Sequence, residues 1–324
     1  SPLGWLGPFL SYTGCMFQFI VKTVSLRVVL PAAGLICLLL PSQPAHAWEQ
    51  DGHRMINKLA ISNLPADMPA FLRSQAAIDE VEYLGPEPDR WRSRAEPELS
   101  AAQAPEHFIN LDAAEALGPL PHKRLDFEAE VFAHGQRPEI IGLQPWETDE
   151  VWERLKAAMR QYRFLLAAGQ DTKPVEDAIL FYSGWLGHYV GDGSQPLHVA
   201  VSYNGWVGPN PNGYTTSHQI HHVFEGPFVA ANIHAPDVQA KMTPAKVIDG
   251  DMFDAYVAYL HHAGTYLEKV YQLEKAGGFV GAGSQESRDF TAARLADGAS
   301  MLRDMIYTAW VDSAQPVPEG RPAF

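Results

Sequence analysis

Residues 174–198, PVEDAILFYSGWLGHYVGDGSQPLH, decide the class of this chain. Pro174 has the fixed φ that suits the first turn of a helix. Phe181, Trp185, His188 and Asp192 then recur at steps of three and four residues, so they fall on one helical face. Pro196 ends the run and turns the chain back, and His198 follows the turn. His188 and Asp192 are four apart. An exposed ion pair is the ordinary fate of such a pair. Here the pair shares its face with Phe181 and Trp185, which predicts that it points towards a core. A buried carboxylate beside a buried imidazole needs a partner, and a metal ion supplies one.

The same period extends outward. His53, Ile56 and Ala60 predict a first helix after Gly52, and Thr148 precedes a helix carrying Val151, Leu155, Met159 and Tyr162. Thr243-Pro244 predicts the start of a long helix through Phe253, Val257, Leu260, Leu267 and Tyr271. Phe290, Leu302, Ile306 and Ala309 predict the last one. No segment alternates with period two between hairpin turns. The expected class is mainly α: a single-domain multi-helix bundle with long loops around a metal-binding cleft. The loop over residues 194–214 is rich in Gly, Pro and Asn, and separates two groups of histidines. The Gly-rich piece at 277–283 follows no strand and reads as a linker rather than a phosphate cradle.

Residues 1–47 read as a signal peptide. Lys22 and Arg27 flank the apolar run 28–40, VVLPAAGLICLLL, and Ala45-His46-Ala47 gives a small-x-small cleavage site. Pro31 and Gly34 interrupt the run, which is shorter than the ~20 apolar residues of a membrane span. Cleavage would make Trp48 the first residue of a domain over 48–324 in an exported, periplasmic or secreted, protein. Both cysteines, Cys15 and Cys37, lie in the removed part, so any metal site must use His and carboxylates. The whole chain carries 24 basic and 38 acidic residues, net −14, a poor match to tight duplex binding. The mature chain has no cysteine and no G-x-S-x-G word, which argues against a cysteine or serine hydrolase.

Three further stretches offer ligands. His221 and Glu225 repeat the four-residue spacing. Trp48 stands five residues before His53, and a free α-amine binds metal once deprotonated. Asp89-Arg90-Trp91-Arg92 and His107-Phe108-Ile109-Asn110 add an acid and a histidine. In this order Trp48, His53, Asp89, His107, His188, Asp192, His198, His221 and Glu225 resemble the nine ligands shared by the zinc-dependent single-strand nucleases of the S-one/P-one type and the bacterial zinc-dependent phospholipases C. The words HFIN, HYVGDGSQPLHV and IHHVFE resemble those of the nucleases.

The resemblance implies three Zn2+. One would be held by Asp89, His107, His188 and Asp192, and a second by the amine and carbonyl of Trp48 with His53, sharing Asp192. The third would use His198, His221 and Glu225. It also implies hydrolysis of P–O3′ bonds by a metal-bound hydroxide, with Asp89 orienting the water and Arg92 clamping the phosphate. Asn110 stands where the nucleases carry a base-reading aspartate, and Glu225 is a glutamate as in the phospholipases. The short spacing from Trp48 to His53 and Arg92 look like the nuclease branch. The implied substrate is therefore a single-stranded nucleic acid or nucleotide, with phospholipid as the alternative, and a non-catalytic zinc-binding protein as the reading from another class. No stable protein partner is implied, and a monomer is expected. Trp91, Trp206 and Tyr214 are candidates to stack on bases, although packing is the commoner fate of such side chains. His122, His134, His218, His222, His234, His261 and His262 are assigned to surface or core.

Overall fold

A helix of 22 residues, Lys173–Ser194, runs through the centre of the computed structural model, which describes residues 48–317 and residue 319. The segment 1–47, expected to be a signal peptide, lies outside the described residues. The helices that matter here are α1 (Glu49–Ser62), α2 (Gln75–Leu84), the single-turn α3 (Glu87–Arg90), α4 (Gln144–Ala167), the central α5 (Lys173–Ser194), the short α6 (Ile220–Glu225), α7 (Met252–Gly264), α8 (Leu267–Lys275) and α9 (Gln285–Asp312). The fold is mainly α. The β pairing among the described residues amounts to isolated bridges, Ile109 with Gly142 and Tyr203 with Gly205. No described helix is long and apolar enough to cross a membrane.

Close approach of α1 and α2 to α5 depends on a row of glycines. A Cβ at Gly184 would lie 2.3 Å from the Leu84 side chain, one at Gly187 would lie 1.9 Å from Asn57, and one at Gly191 would lie 3.0 Å from His53. Without side chains on this stripe, α1 lies close enough for His53 to reach the face that carries His188 and Asp192. Asn57, fully buried, ties the three helices by donating to the carbonyls of Val81 (2.9 Å) and Gly184 (3.0 Å). On the other side α5 packs on α4 and α9. There the buried Trp152 indole donates to the Met305 carbonyl at 3.0 Å.

Several expected boundaries shift. The helix expected after Gly52 begins at Glu49, and the one expected at Thr148 begins at Gln144, where the Thr148 hydroxyl donates to the Gln144 carbonyl inside the helix instead of capping it. Thr243-Pro244 starts no helix: α7 begins at Met252, capped by the Asp251 side chain, and α7 and α8 are separate helices on either side of Thr265 and Tyr266. Phe181 is exposed and Trp185 only half-buried, so the face shared with His188 enters the core at its C-terminal end alone.

Candidate metal centre

The C-terminal half of α5 buries His188 and Asp192 completely, and three clusters of His, Asp and Glu form around them and beside them. The first joins Asp89 of α3, His107 at the end of the 3-10 turn Ala104–His107, and His188. The second joins His53 of α1 with His188 and Asp192. The third joins His198, in the 3-10 turn Pro196–Val199, with His221 and Glu225 of α6. In each cluster one ligand atom per residue lies within 4.8 Å of the others. All eight side chains expected as ligands are thus brought into these clusters. His188 belongs to two of them, where only Asp192 was expected to be shared.

Asp192 has one oxygen towards each of two imidazoles. Oδ1 is 3.3 Å from His53 Nε2, and Oδ2 is 3.5 Å from His188 Nε2. The rings of His53 and His188 stack with centroids 3.9 Å apart. Asp89 Oδ1 stands 3.7 Å from His107 Nε2, 3.9 Å from His188 Nε2 and 3.6 Å from Arg92 Nη1.

Four imidazoles have their tautomers set by backbone carbonyls. Nδ1 of His107 donates to Gln103, Nδ1 of His188 to Gly85, Nδ1 of His198 to His107 and Nδ1 of His221 to Tyr203, at 2.6–2.9 Å. With the proton on Nδ1, each neutral ring turns an Nε2 lone pair into the site. His198 Nε2 and His221 Nε2 face each other at 3.0 Å, and Glu225 Oε2 is 3.0 Å from the latter. Two lone pairs and a carboxylate at such range repel unless a cation or a proton lies among them. His107 Nε2, His188 Nε2, both oxygens of Asp192 and Glu225 Oε1 are buried with no hydrogen-bond partner among the described residues. Buried polar atoms left in this way are costly to a fold and ordinary in a metal site. The clusters are therefore able to hold metal ions.

Burial sets the protonation. It pushes His107 down to about 3, with the Arg92 charge adding to the effect, and pushes His188 well below the ordinary imidazole value. Burial raises the Asp192 carboxyl well above its usual range. Burial is the largest single effect at His221 and Glu225 and disfavours charge at both, but their mutual attraction and hydrogen bond, with the Tyr203 carbonyl at His221 and His198 at Glu225, together outweigh it, so the imidazole moves up and the carboxyl down. His107 and His188, held neutral, offer nitrogen lone pairs to a divalent ion, and an ion binding at Asp192 or His221 would displace the protons that those groups favour.

The remaining candidates are placed as follows. The Trp48 indole is fully buried and donates to the Gly191 carbonyl at 2.8 Å and to Ser194 Oγ at 2.9 Å, against the turn of α5 that carries Asp192. Its carbonyl accepts the Gly52 N–H at 3.0 Å, which uses one of two lone pairs. Asn110 is buried and its amide nitrogen donates to the Ile140 carbonyl at 2.9 Å, a bond that uses one of its two N–H groups and leaves its oxygen unused. Trp206 and Tyr214 pack on each other and on Tyr271, and Trp91 packs edge-on to Trp185. His122 pairs with Asp251 and Asp254 at the surface, where Asp251 already caps α7.

One residue of the centre was not singled out from the sequence. Gln195 is fully buried, accepts from the Leu197 N–H and donates to Glu225 Oε2 at 3.1 Å, so it orients that carboxylate. A polar residue between a helix end and Pro196 in an otherwise buried word was its one signal. No family model, no curated protein and no solved structure matches the chain.

Proposed function

We propose that the chain is an exported, zinc-dependent phosphodiesterase that hydrolyses single-stranded nucleic acid. Three zinc ions would be held by Trp48, His53, Asp89, His107, His188, Asp192, His198, His221 and Glu225. The observation that supports this most is the inward convergence of four Nε2 lone pairs, fixed by carbonyls, on carboxylates that are themselves buried. A shared proton would relieve the pair His198 and His221, but it would leave His107 Nε2, His188 Nε2 and both oxygens of Asp192 without a hydrogen-bond partner among the described residues. Nitrogen and carboxylate donors with no thiolate favour zinc over magnesium or calcium.

Bound zinc would supply Lewis acidity towards a phosphoryl group and towards water. The chain's own residues do the positioning. Asp192 turns one oxygen to His53 and the other to His188, the imidazole common to two clusters. Asp89, buried beside His107 and His188, offers a carboxylate oxygen that would orient an attacking water. Arg92 is half-buried beside Asp89, and its charge is felt at His107, Asp192 and His221, so its guanidinium would be available to clamp a phosphoryl group held at the clusters.

The test is elemental analysis of the purified protein together with hydrolysis of single-stranded RNA and of phosphatidylcholine micelles. About three zinc ions per chain and cleavage of RNA are expected. Cleavage of the lipid alone would move the assignment to a phospholipase C. Zinc without hydrolysis of either would make this a zinc-holding protein, and absence of zinc would remove the proposal.

A further inference from the structure

Among the described residues, Trp48 and Glu49 are the non-glycine residues with positive φ, at 43° and 34°. With Trp48 as the proposed first residue φ is defined for Glu49 alone, and a left-handed backbone at a residue with a large side chain persists only where surrounding contacts hold it. Those contacts lead to α6. The Trp48 ring packs on the buried Phe224, with centroids 5.3 Å apart. The Glu49 carboxylate lies over Gly226: a Cβ at that glycine would be 2.3 Å from Cδ and Oε1 of Glu49 and 2.6 Å from Oε2. Glu49 Oε1 is also 2.9 Å from His222 Nδ1.

The positions touched are informative. His222 follows the ligand His221, and Gly226 follows the ligand Glu225. On the opposite side the Trp48 indole holds Gly191 and Ser194, on either side of Asp192. The pair Trp48-Glu49 is therefore wedged between the helix that presents Asp192 and the helix that presents His221 and Glu225. Helix α6 has six residues and no side-chain cap at its N-terminus. A helix of that length has little stability of its own, so tertiary contacts set its orientation. The bond between Glu49 and His222 is about half-exposed and by itself worth little. What matters is the seat of the carboxylate on the Cα of Gly226, where any side chain would displace it.

We infer that Glu49 is a positioning residue for the third ion cluster. Seated over Gly226 and bonded to His222, it orients α6 so that His221 and Glu225 meet His198. The inference rests on the proposed ion binding. It has a specific signature, because the three atoms nearest a Cβ at position 226 all belong to the Glu49 carboxylate. Gly226→Ala should act by pushing that carboxylate away, and should cost nothing further once it has been removed.

The experiment is a zinc titration of the metal-stripped mature protein, residues 48–324, followed by calorimetry and by the imidazole NMR resonances of His198 and His221. Wild type is compared with Glu49→Ala, Gly226→Ala, the double variant and Glu49→Gln. Each single change is expected to weaken the ion at His198 and His221 by about tenfold, the usual scale for a partner one shell out from a metal. The remaining zinc should bind as in wild type. The double variant should match Glu49→Ala, and Glu49→Gln, which keeps the shape and the acceptor, should recover most of the affinity. A general loss of stability would weaken all three clusters together and overturn the inference. So would wild-type titration of Glu49→Ala, or losses that add in the double variant. If wild type takes up no zinc, the proposed function fails and this inference with it; if wild type binds and the variants match it, the inference fails alone.

Discussion

At the scale of single residues the centre turns on Asp192. It is fully buried, each of its oxygens faces a different imidazole, and burial holds its carboxyl well above the usual range. Such a group carries its charge only if cations stand on both sides. Asp192→Asn keeps the shape but offers one neutral acceptor. The expected result is loss of more than one zinc per chain in elemental analysis, with hydrolysis abolished; a variant that kept metal and turnover would remove the bridge. Such residues were legible because their spacing is local. His188 with Asp192 and His221 with Glu225 each sit one helical turn apart, and a turn of sequence is enough to show it. The carbonyls of Gln103, Gly85, His107 and Tyr203 that fix the four imidazoles were not legible, because any residue type supplies a carbonyl. Glu147 shows another kind of hidden partner. Burial, with the Glu106 and Glu150 charges, raises its carboxyl from 4.5 to about 7, against the lowering effect of Arg124. Between these values the folded chain holds a proton that the unfolded chain has released, so stability falls as pH rises through this window. Glu147→Gln removes the charge but keeps an acceptor for Arg124. Its melting temperature should therefore fall less than that of wild type between pH 5 and 8, and the variant should be the more stable at pH 8 by about 2 kcal/mol.

At the scale of elements, the segment from Thr243 to Asp251 explains the largest error of the sequence reading. Its pattern suggested the start of a helix, but it runs along α9 and uses that helix's side chains as hydrogen-bond partners. The Thr243, Lys246 and Ile248 N–H groups donate to Ser300 Oγ, Asp304 Oδ1 and Thr308 Oγ1, acceptors spaced four apart on one face of α9. Arg303 answers from the same helix, donating to the carbonyls of Thr243 (2.6 Å) and Pro244 (3.1 Å) while paired with Asp304 at 2.7 Å. A backbone satisfied by a helix sixty residues away has no need of its own helical bonds, and nothing within the segment records that distant partner. The central α5 was legible for the opposite reason, since its period and its Pro174 start lie within the element itself. The clasp gives a prediction at this scale. Arg303 and Asp304 are both buried, so Arg303→Ala strands a carboxylate and two carbonyls and should cost about 3 kcal/mol in denaturant unfolding. Because α9 supplies no ligand to the clusters, zinc content at saturation should not change. A variant that lost zinc instead would tie this clasp to the centre.

At the scale of the whole molecule, the clustered side chains that could hold ions come from residue 53 to residue 225, and only the folded chain brings them together. An ion that binds these groups therefore binds the folded state and hardly the unfolded one, so binding is directly a contribution to folding. The balance of charge points the same way. The chain has a net charge of −14, and Asp89, Asp192 and Glu225 are buried in its interior beside imidazoles that burial or carbonyl bonds keep turned inward. Divalent ions held there would neutralise charge where solvent cannot. At free zinc about 100-fold above the dissociation constant, each site adds about 2.7 kcal/mol. For a domain of this size 1 kcal/mol moves the melting temperature by about 2–4 °C. Zinc should thus raise the melting temperature of the stripped protein by about 5–10 °C for a single site and further as more sites fill, with the midpoint still climbing as zinc concentration rises. A strong chelator should reverse the gain, and magnesium at equal concentration should give little of it, since nitrogen donors suit zinc. If scanning calorimetry finds the same melting temperature with zinc, with magnesium and with chelator, then the inward-facing imidazoles and carboxylates are satisfied by protons alone, and the interior of this bundle is a buried polar network instead of a metal centre.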